Sequence, residues 1–291
     1  MKIEKVLVVG CGTMGGQIAM QTALCGYQVC AYDLKPEVVQ RAKAYSDKWF
    51  AGRVAKGRLT EEQARQAQER LNFTTDLPLA AHEADLVIEA VPDVAKIKRA
   101  VLSQVDQYVP ERAIYGSNSS YLVSSVFADA VRHPEHVANF HFFNPALVME
   151  LVEVVQGPHT APETVEILMD FARSIRKSPV LVKKEIYGFV VNRIFSAITK
   201  EACYLYDQGV ASLEDIDTAV KKGLGHPMGP FDLLDMTGID LEYNVLMERF
   251  RNTQDPADRP AAVLVEHYAR GEYGRKTNKG FYEYDEGGKR K

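Results

Sequence analysis

The sequence lacks the features that identify several common classes of protein. Its four cysteines, at positions 11, 25, 30 and 203, have neither the spacing of a metal site nor that of a disulfide framework. No basic segment followed by a detachable apolar stretch precedes the first strand pattern, and no apolar run is long enough to span a bilayer. We therefore expect a reduced, cytoplasmic protein with no metal site and no membrane insertion.

The chain also lacks a large excess of charge. Its 35 basic and 39 acidic residues give a formal net charge of −4, and nothing in this balance favours nucleic acid or an anionic membrane as a partner. No internal repeat or low-complexity tract is present. A length of 291 residues with 46% hydrophobic composition instead predicts one large or two ordinary globular domains with sizeable cores.

Short apolar strand patterns alternate with helical patterns as far as about residue 182, which is typical of a doubly wound parallel sheet in an α/β domain. The strand patterns cover residues 4–9, 28–32, 85–91, 113–116, 137–142, 150–155 and 179–182. A long polar stretch separates the second from the third. Within it, Pro36 suits the first turn of a helix, and Thr60 with Gln63 forms a capping-box pattern. This stretch predicts a helical-hairpin insertion.

The pattern changes after residue 184, where strands give way to helices. Residues 188–208, 212–222, 229–251 and 259–270 all have helical patterns, so we predict an α/β domain over residues 1–184 and an all-helical domain over residues 185–291. The first of these helices has more apolar surface than one short helix covers, which predicts a homodimer interface. The apolar residues concerned are Val190, Val191, Ile194, Phe195, Ile198 and Leu205.

A glycine-rich turn, residues 10–16, joins the first strand pattern to an apolar helix pattern. In such a fingerprint, Gly10 permits the tight turn, Gly12 lets the backbone approach a pyrophosphate, and Gly15 lets the helix pack on the strand. The helix N-terminus can then hold the phosphates. This turn predicts a Rossmann-type domain that binds a dinucleotide.

The second strand pattern ends in Asp33, which bears on the choice of cofactor. An acid at this position accepts both ribose hydroxyls of adenosine and repels a 2′-phosphate, so it favours NAD over NADP. The basic residue Lys35, two positions further on, weakens the predicted preference for NAD. Cys11 lies in the turn beside the helix N-terminus, which favours a thiolate and predicts a redox-sensitive position; the alternative is an inert, buried thiol.

Two ionisable residues interrupt strand patterns that otherwise indicate burial. His141 lies in the fifth pattern and Glu153 in the sixth. A carboxylate directed at one ring nitrogen of histidine fixes the tautomer and stabilises the protonated form, which makes the pair a general base. For either residue alone, the alternative is a core histidine bonded to a carbonyl, or a glutamate that faces solvent on an edge strand.

Nine motifs together resemble the short-chain L-3-hydroxyacyl-CoA dehydrogenase family, most closely its bacterial 3-hydroxybutyryl-CoA members. The motifs are Gly10-Cys-Gly-Thr-Met-Gly, Glu89-Ala-Val, Ser117-Asn-Ser-Ser, His141-Phe-Phe-Asn-Pro, Leu151-Val-Glu-Val, Gly188-Phe-Val-Val-Asn-Arg, His226-Pro-Met-Gly-Pro-Phe, Lys276-Thr and Gly280-Phe-Tyr. The resemblance runs nearly end to end. It implies NAD-dependent oxidation of (S)-3-hydroxyacyl-CoA, with a short chain such as 3-hydroxybutyryl, to 3-oxoacyl-CoA and the reverse, as in β-oxidation and butanoate metabolism.

The resemblance also implies roles for individual residues. His141 would be the catalytic base, Glu153 its orienting carboxylate, Ser120 a hydroxyl near the substrate alcohol, and Asn192 a substrate-positioning amide. Lys56, and more weakly Lys48, would bind the CoA phosphates, although composition alone favours a solvated basic face for them. The residues implied to bind NAD are Gly10, Gly12, Thr13, Met14, Gly15, Asp33, Asp93, Lys98, Ser120, Asn144 and Lys276. Asp93 stands where the family usually has glutamate.

Simple chemistry agrees with these roles. A hydride leaves carbon 3 of the substrate only if the adjacent hydroxyl loses its proton, and a neutral imidazole can take that proton. Asn192 lies in the second domain, so closure about a hinge near residues 183–187 would complete the site. Two alternatives stay open. One is a dehydrogenase of a free 3-hydroxy acid, of the sugar-acid or carnitine type; the other is a non-catalytic dinucleotide-binding protein.

Overall fold

The protein divides into two compact units in a computed structural model that describes residues 1–251, 253–256 and 258–291 in full. The first unit is Met1–Val190 and the second is Val191–Lys291. The boundary predicted from the sequence, between residues 184 and 185, falls earlier in the chain. The first unit carries the sheet and the second is helical, so the predicted fold class is confirmed.

An eight-stranded sheet organises the first unit, in the order β3-β2-β1-β4-β5-β6-β7-β8. The strands are β1 Lys5–Val9, β2 Gln28–Tyr32, β3 Leu71–Thr74, β4 Leu86–Glu89, β5 Ile114–Ser117, β6 Val137–Phe142, β7 Leu151–Val155 and β8 Ser178–Val182. β3 was not predicted, because its four residues, three half-buried and one exposed, lie at a sheet edge and give no clear alternation. The sheet buries both faces: Val6 and Val8 pack in one apolar cluster, and Leu7 and Val9 pack in the other.

The predicted parallel sheet contains one antiparallel strand pair. β7 is antiparallel to β6, while β8 is parallel to β7. Antiparallel neighbours need only a short connection, whereas a parallel pair needs a long crossover, and only residues 143–150 join β6 to β7. The antiparallel register sets His141 directly opposite Glu153.

Helices cover the sheet and form the predicted hairpin. They are α1 Thr13–Leu24, α2 Pro36–Ala55, α3 Glu61–Glu69, α4 Leu77–Ala81, α5 Ala95–Asp106 and α6 Pro162–Ser174. Pro36 begins α2, and Thr60 caps α3. The Thr60 hydroxyl accepts from the Gln63 amide at 3.1 Å and the Gln63 side chain accepts from the Thr60 amide at 2.9 Å, which confirms the capping box.

The second unit contains α7 Val191–Asp207, α8 Leu213–Gly223, α9 Pro230–Thr237, α10 Ile239–Thr253 and α11 Ala262–Ala269. The single helix predicted over residues 229–251 is wrong, because Gly238 adopts a φ of 108° and separates α9 from α10. α7 begins later than predicted, since Gly188 and Phe189 have positive φ values of 75° and 47°. No helix within the described residues has the length and apolar character that crossing a membrane requires.

Candidate active site

The glycine-rich turn between β1 and α1 has the geometry that a dinucleotide site needs. A Cβ added to Gly10, where φ is 98°, would lie 2.7 Å from the Ala90 carbonyl oxygen, and one added to Gly15 would lie 1.8 Å from the Gly10 oxygen. At Gly12 an added Cβ would meet no atom within 4 Å. Two glycines therefore allow close packing, while Gly12 faces open space that a pyrophosphate could fill.

Asp33 lies just beyond the end of β2 and is held by the backbone. Its Oδ2 accepts from the Cys11 amide at 2.9 Å, and its Oδ1 accepts from the Lys35 amide at 3.0 Å. Each carboxylate oxygen keeps a lone pair for a further donor. The side chain is thus fixed next to the glycine-rich turn with acceptors left for the two ribose hydroxyls, so the residues present fit NAD.

A cavity of about 320 Å³ opens beside this turn, between α1 and α2. Gly12 and Thr13 line one side, and Arg41 and Tyr45 of α2 line the other. Lys48 lies two turns beyond Arg41 on a similar face of α2, and both are exposed. The predicted basic surface therefore begins at the phosphate end of the dinucleotide site. Lys56 is also exposed and caps the C-terminus of α2.

The thiolate predicted at Cys11 is wrong. The side chain is only 3% exposed. Burial raises the pKa of the Cys11 thiol to about 12, and the nearby Asp33 carboxylate contributes to the same shift. Desolvation raises the pKa of the thiol by more than the helix N-terminus lowers it. A buried thiolate loses more hydration free energy than its interaction with one helix N-terminus supplies. Cys11 is the inert, buried thiol of the alternative interpretation.

His141 and Glu153 form a buried pair across β6 and β7. Nδ1 of His141 lies 2.9 Å from Oε2 of Glu153, and their side chains are 4% and 0% exposed. A buried carboxylate accepts a proton donor, which assigns the hydrogen to Nδ1 and leaves Nε2 as the basic nitrogen. The alternative interpretation, in which Glu153 faces solvent on an edge strand, is wrong, because β7 lies between β6 and β8.

The second oxygen of Glu153 binds the end of the first unit. Oε1 accepts from the Val190 amide at 3.0 Å, and the buried Phe189 ring lies 5.5 Å from the His141 ring. Further back, Glu185 Oε1 accepts from the Ser124 hydroxyl and the Ser125 amide, both at 2.8 Å. These contacts attach residues 185–190 to the first unit and argue against the hinge predicted at residues 183–187.

The turn that follows β5 carries Ser120 to the same edge of the sheet as His141. Asn118 Oδ1 accepts from the Phe142 amide at 2.9 Å, so the turn is tied to the residue next to His141. Asn118 therefore links two strand ends rather than only capping a turn. The Ser120 amide donates to Asp93 Oδ2 at 3.2 Å, which brings two of the predicted residues together.

Lys98 is buried among carboxylates. Its side chain is 1% exposed, and its ammonium donates to both oxygens of Glu89 at 2.8 and 2.9 Å and lies 3.3 Å from Asp93 Oδ1. Glu89 also accepts from the Ser117 hydroxyl at 2.5 Å. This network joins the ends of β4 and β5 beneath the serine turn, and the predicted cofactor residues Asp93 and Lys98 are both part of it.

The remaining predicted residues lie elsewhere. Asn144 is exposed in the loop after β6 and precedes a cis proline. Asn192 is in the first turn of α7, and Lys276 is in a short 3-10 helix, Arg275–Thr277, where its ammonium forms an ion pair with Asp240. No role was predicted for Glu89. A carboxylate that ends an apolar strand, with a lysine nine residues later, was the signal available for it.

Two family models match the chain over most of its length. Residues 5–186 match the NAD binding domain of 3-hydroxyacyl-CoA dehydrogenase, and residues 188–284 match the C-terminal domain. The human mitochondrial hydroxyacyl-coenzyme A dehydrogenase is 36% identical over 97% of this chain and 91% of its own. The 3-hydroxybutyryl-CoA dehydrogenase of Clostridioides difficile is 36% identical over 97% of this chain and 99% of its own.

A solved structure shows the same likeness. The (S)-3-hydroxybutyryl-CoA dehydrogenase of Ralstonia eutropha superposes with a TM-score of 0.91 at 35% identity, covering 98% of this chain and 100% of that one. Sequence and fold agree over both units, so the resemblance inferred from the nine motifs is confirmed.

Proposed function

Because the chain belongs to the 3-hydroxyacyl-CoA dehydrogenase family and oxidises 3-hydroxyacyl-CoA with NAD, we propose that His141 is the base of this reaction and that short acyl chains are preferred. The buried His141–Glu153 pair carries the proposal. Its 2.9 Å contact, with no exposed surface on the carboxylate, is the arrangement that directs Nε2 of a neutral imidazole at a substrate hydroxyl. The names of the bacterial relatives support 3-hydroxybutyryl-CoA as the substrate.

The proton follows a short path in this scheme. Nε2 of His141 removes the proton from the 3-hydroxyl of the substrate, and the imidazole becomes positively charged. Glu153 stabilises that charge through Nδ1, and the Val190 amide holds the carboxylate in place. NAD, when bound, accepts the hydride from carbon 3. The aromatic rings of Phe143 and Phe189, 4.6 and 5.5 Å from the imidazole ring, exclude water around the base.

Polar residues other than His141 and Glu153 position the substrate and the cofactor. We assign Ser120 to the substrate hydroxyl and Asn192 to the substrate carbonyl region. We assign the CoA phosphates to two exposed lysines, Lys48 of α2 and Lys56 at its C-cap. An exposed ammonium group on a helix can bind a phosphate as a point charge. Asp33 and the glycine-rich turn hold the adenosine and pyrophosphate of NAD.

We also propose a homodimer formed through the second unit. Ile194 of α7 is 57% exposed, and Tyr204, about three turns further along the helix, is 56% exposed. Phe195 and Leu205, by contrast, pack against the core of the second unit. The exposed apolar side chains on α7 are thus available to a second copy. Sedimentation of an Ile194→Glu variant tests this proposal, with a shift to monomer as the expected result.

The test of the catalytic role compares His141→Gln with His82→Gln, since His82 has a side chain that is 57% exposed and lies far along the chain from the site. We expect His141→Gln to lower turnover about 10²- to 10⁴-fold, which is the usual contribution of acid–base catalysis, and to leave the NAD dissociation constant nearly unchanged. His82→Gln should change neither. Near-normal turnover in His141→Gln would refute the assignment.

A further inference from the structure

We propose that Trp49 and Arg53 of α2 form a stacking platform for the adenine base of CoA, next to the lysine that binds a CoA phosphate. This inference rests on the proposed function, in which Lys56 takes that phosphate. It extends the substrate site by two residues that recognise the nucleotide part of the thioester and take no part in the chemical step.

The side chains of Trp49 and Arg53 are stacked in the structure. The guanidinium carbon of Arg53 lies over the Trp49 ring, 4.8 Å from its centre. At this distance the positive charge is attracted to the face of the indole, which holds the guanidinium in one orientation. Because each side chain is only half-buried, part of this flat, delocalised surface stays open to a further planar group.

The indole of Trp49 is fixed by the core of the helical hairpin. It packs against a buried cluster that consists of Met20, Phe50, Ala64 and Ala67. The Phe50 ring meets it nearly at a right angle, with the two ring centres 5.2 Å apart. A ring that is already immobilised loses little conformational entropy when a ligand stacks on it, so the platform is formed before the substrate binds.

The platform lies on the side of α2 that carries Lys56. With about 100° of rotation per residue, Trp49 and Lys56 are separated by about 20° around the helix axis, and Trp49 and Tyr45 by about 40°. Tyr45 lines the cavity beside the glycine-rich turn. This side of α2 therefore leads from the cofactor cavity, past the stacked pair, to Lys56.

The charges on the two arms of the hairpin are arranged differently. In α3, Arg65 forms ion pairs with Glu62, at 2.7 Å, and with Glu69. Among the residues that the structure describes, no carboxylate forms an ion pair with Arg53 or Lys56. The last turn of α2 thus presents positive charge that the protein itself does not neutralise.

A nucleotide matches this combination of groups. Its base is a flat π system, which stacks on aromatic rings and on guanidinium groups, and its phosphates are anions that an exposed ammonium can bind. Pantetheine is flexible and uncharged, so it matches neither feature. The stacked pair therefore favours a substrate that carries CoA over one that carries only the pantetheine arm.

Intrinsic fluorescence gives the first test, because Trp49 is the only tryptophan in the chain. The emission is excited at the red edge of the indole absorption, where adenine does not absorb. CoA added to the wild-type protein without NAD should change the emission in a saturable way, while pantetheine or NAD alone should leave it unchanged. An emission that does not respond to CoA at concentrations that inhibit turnover would overturn the inference.

Steady-state kinetics with two thioesters give the second test. Trp49→Leu should raise the KM for 3-hydroxybutyryl-CoA about tenfold with kcat unchanged, and should change kcat/KM for the pantetheine thioester less than about twofold. Since stacking is not an ionic attraction, the increase should be the same at low and at high salt, whereas the effect of Lys56→Ala depends on salt. Arg53→Met should raise the same KM, and it provides the test if Trp49→Leu does not fold. The control is Lys43→Ala, an exposed cation about 120° around α2 from Trp49, which should change neither substrate.

The outcomes separate this inference from the proposed function. Equal losses with the two thioesters would give Trp49 a purely structural role and overturn the inference. An unchanged KM for 3-hydroxybutyryl-CoA in both Trp49→Leu and Arg53→Met, in an otherwise active enzyme, would refute the inference alone. A wild-type enzyme that oxidises neither thioester would refute the proposed function and the inference together.

Discussion

Glu153 offers the sharpest prediction, because glutamine and alanine at this position should separate its structural role from its catalytic one. The carboxylate is fully buried and has two donors, Nδ1 of His141 at 2.9 Å and the Val190 amide at 3.0 Å. In Glu153→Gln, the amide oxygen can accept from Val190 while the NH₂ group donates to Nδ1. The proton of the imidazole then moves to Nε2.

The consequences for stability and activity differ in size. Glu153→Gln keeps both contacts as neutral hydrogen bonds, so the free energy of unfolding should fall by about 1–2 kcal/mol. The histidine, however, is held in the wrong tautomer with its proton on the nitrogen that must act as the base, and such an exchange costs about 10⁴-fold in serine proteases. Glu153→Ala leaves two buried donors unpaired and a cavity, and should destabilise the protein by about 3–5 kcal/mol.

Urea unfolding and steady-state kinetics measure the two effects side by side. We expect Glu153→Gln to be folded with kcat lowered about 10³- to 10⁴-fold. The acid limb of its residual pH–rate profile for oxidation should move to lower pH, since the imidazolium has lost its negative partner. Turnover near the wild-type value, or a pH profile that does not move, would show that Glu153 does not orient His141.

Three further predictions concern cofactor, substrate and thiol. Asp33→Ser should narrow the ratio of specificity constants for NAD and NADP at least about tenfold, and a wild-type enzyme that prefers NADPH would contradict the role of Asp33. Lys56→Ala should raise the KM for acyl-CoA a few-fold at low salt and less at high salt, because added ions screen the phosphate attraction; an equal loss with a pantetheine thioester that lacks the nucleotide would exclude a phosphate contact. Thiol reagents should spare Cys11, because burial raises the pKa of its thiol to about 12 and little thiolate is present at pH 8. Slower inactivation of Cys11→Ala than of the wild type would refute that expectation.

Much of the fold follows from local patterns in the sequence. Continuous apolar runs predict buried strands, and the capping box at Thr60 and the turn at Gly10 act over a few residues, so they can be recognised without tertiary information. The direction of β7 is different. It depends on how residues 143–150 connect two strands, and the same apolar run suits either direction. The break at Gly238 was missed because one glycine inside a helical pattern is often tolerated.

The residues of the functional site were likewise predictable only where local sequence determines their environment. His141 and Glu153 could be predicted because a charged group in an apolar strand needs a partner, and few partners are available. The protonation state of the Cys11 thiol could not be predicted. The sequence reveals the nearby helix N-terminus, but it does not reveal the burial that raises the pKa of the thiol. The donors that fill the Asp93 carboxylate come from the turn after β5, which is remote in sequence. Only the folded chain shows that Asp93 accepts hydrogen bonds from this turn.

The most direct test of the account is NADH formation by the wild-type enzyme with (S)-3-hydroxybutyryl-CoA and with free 3-hydroxybutyrate at the same concentration. The basic residues of α2 and the buried His141–Glu153 pair predict rapid NADH formation with the thioester, and a kcat/KM at least about 10³-fold lower with the free acid, which has no nucleotide or pantetheine to bind. Comparable rates with the two substrates, or no NADH with either, would contradict it.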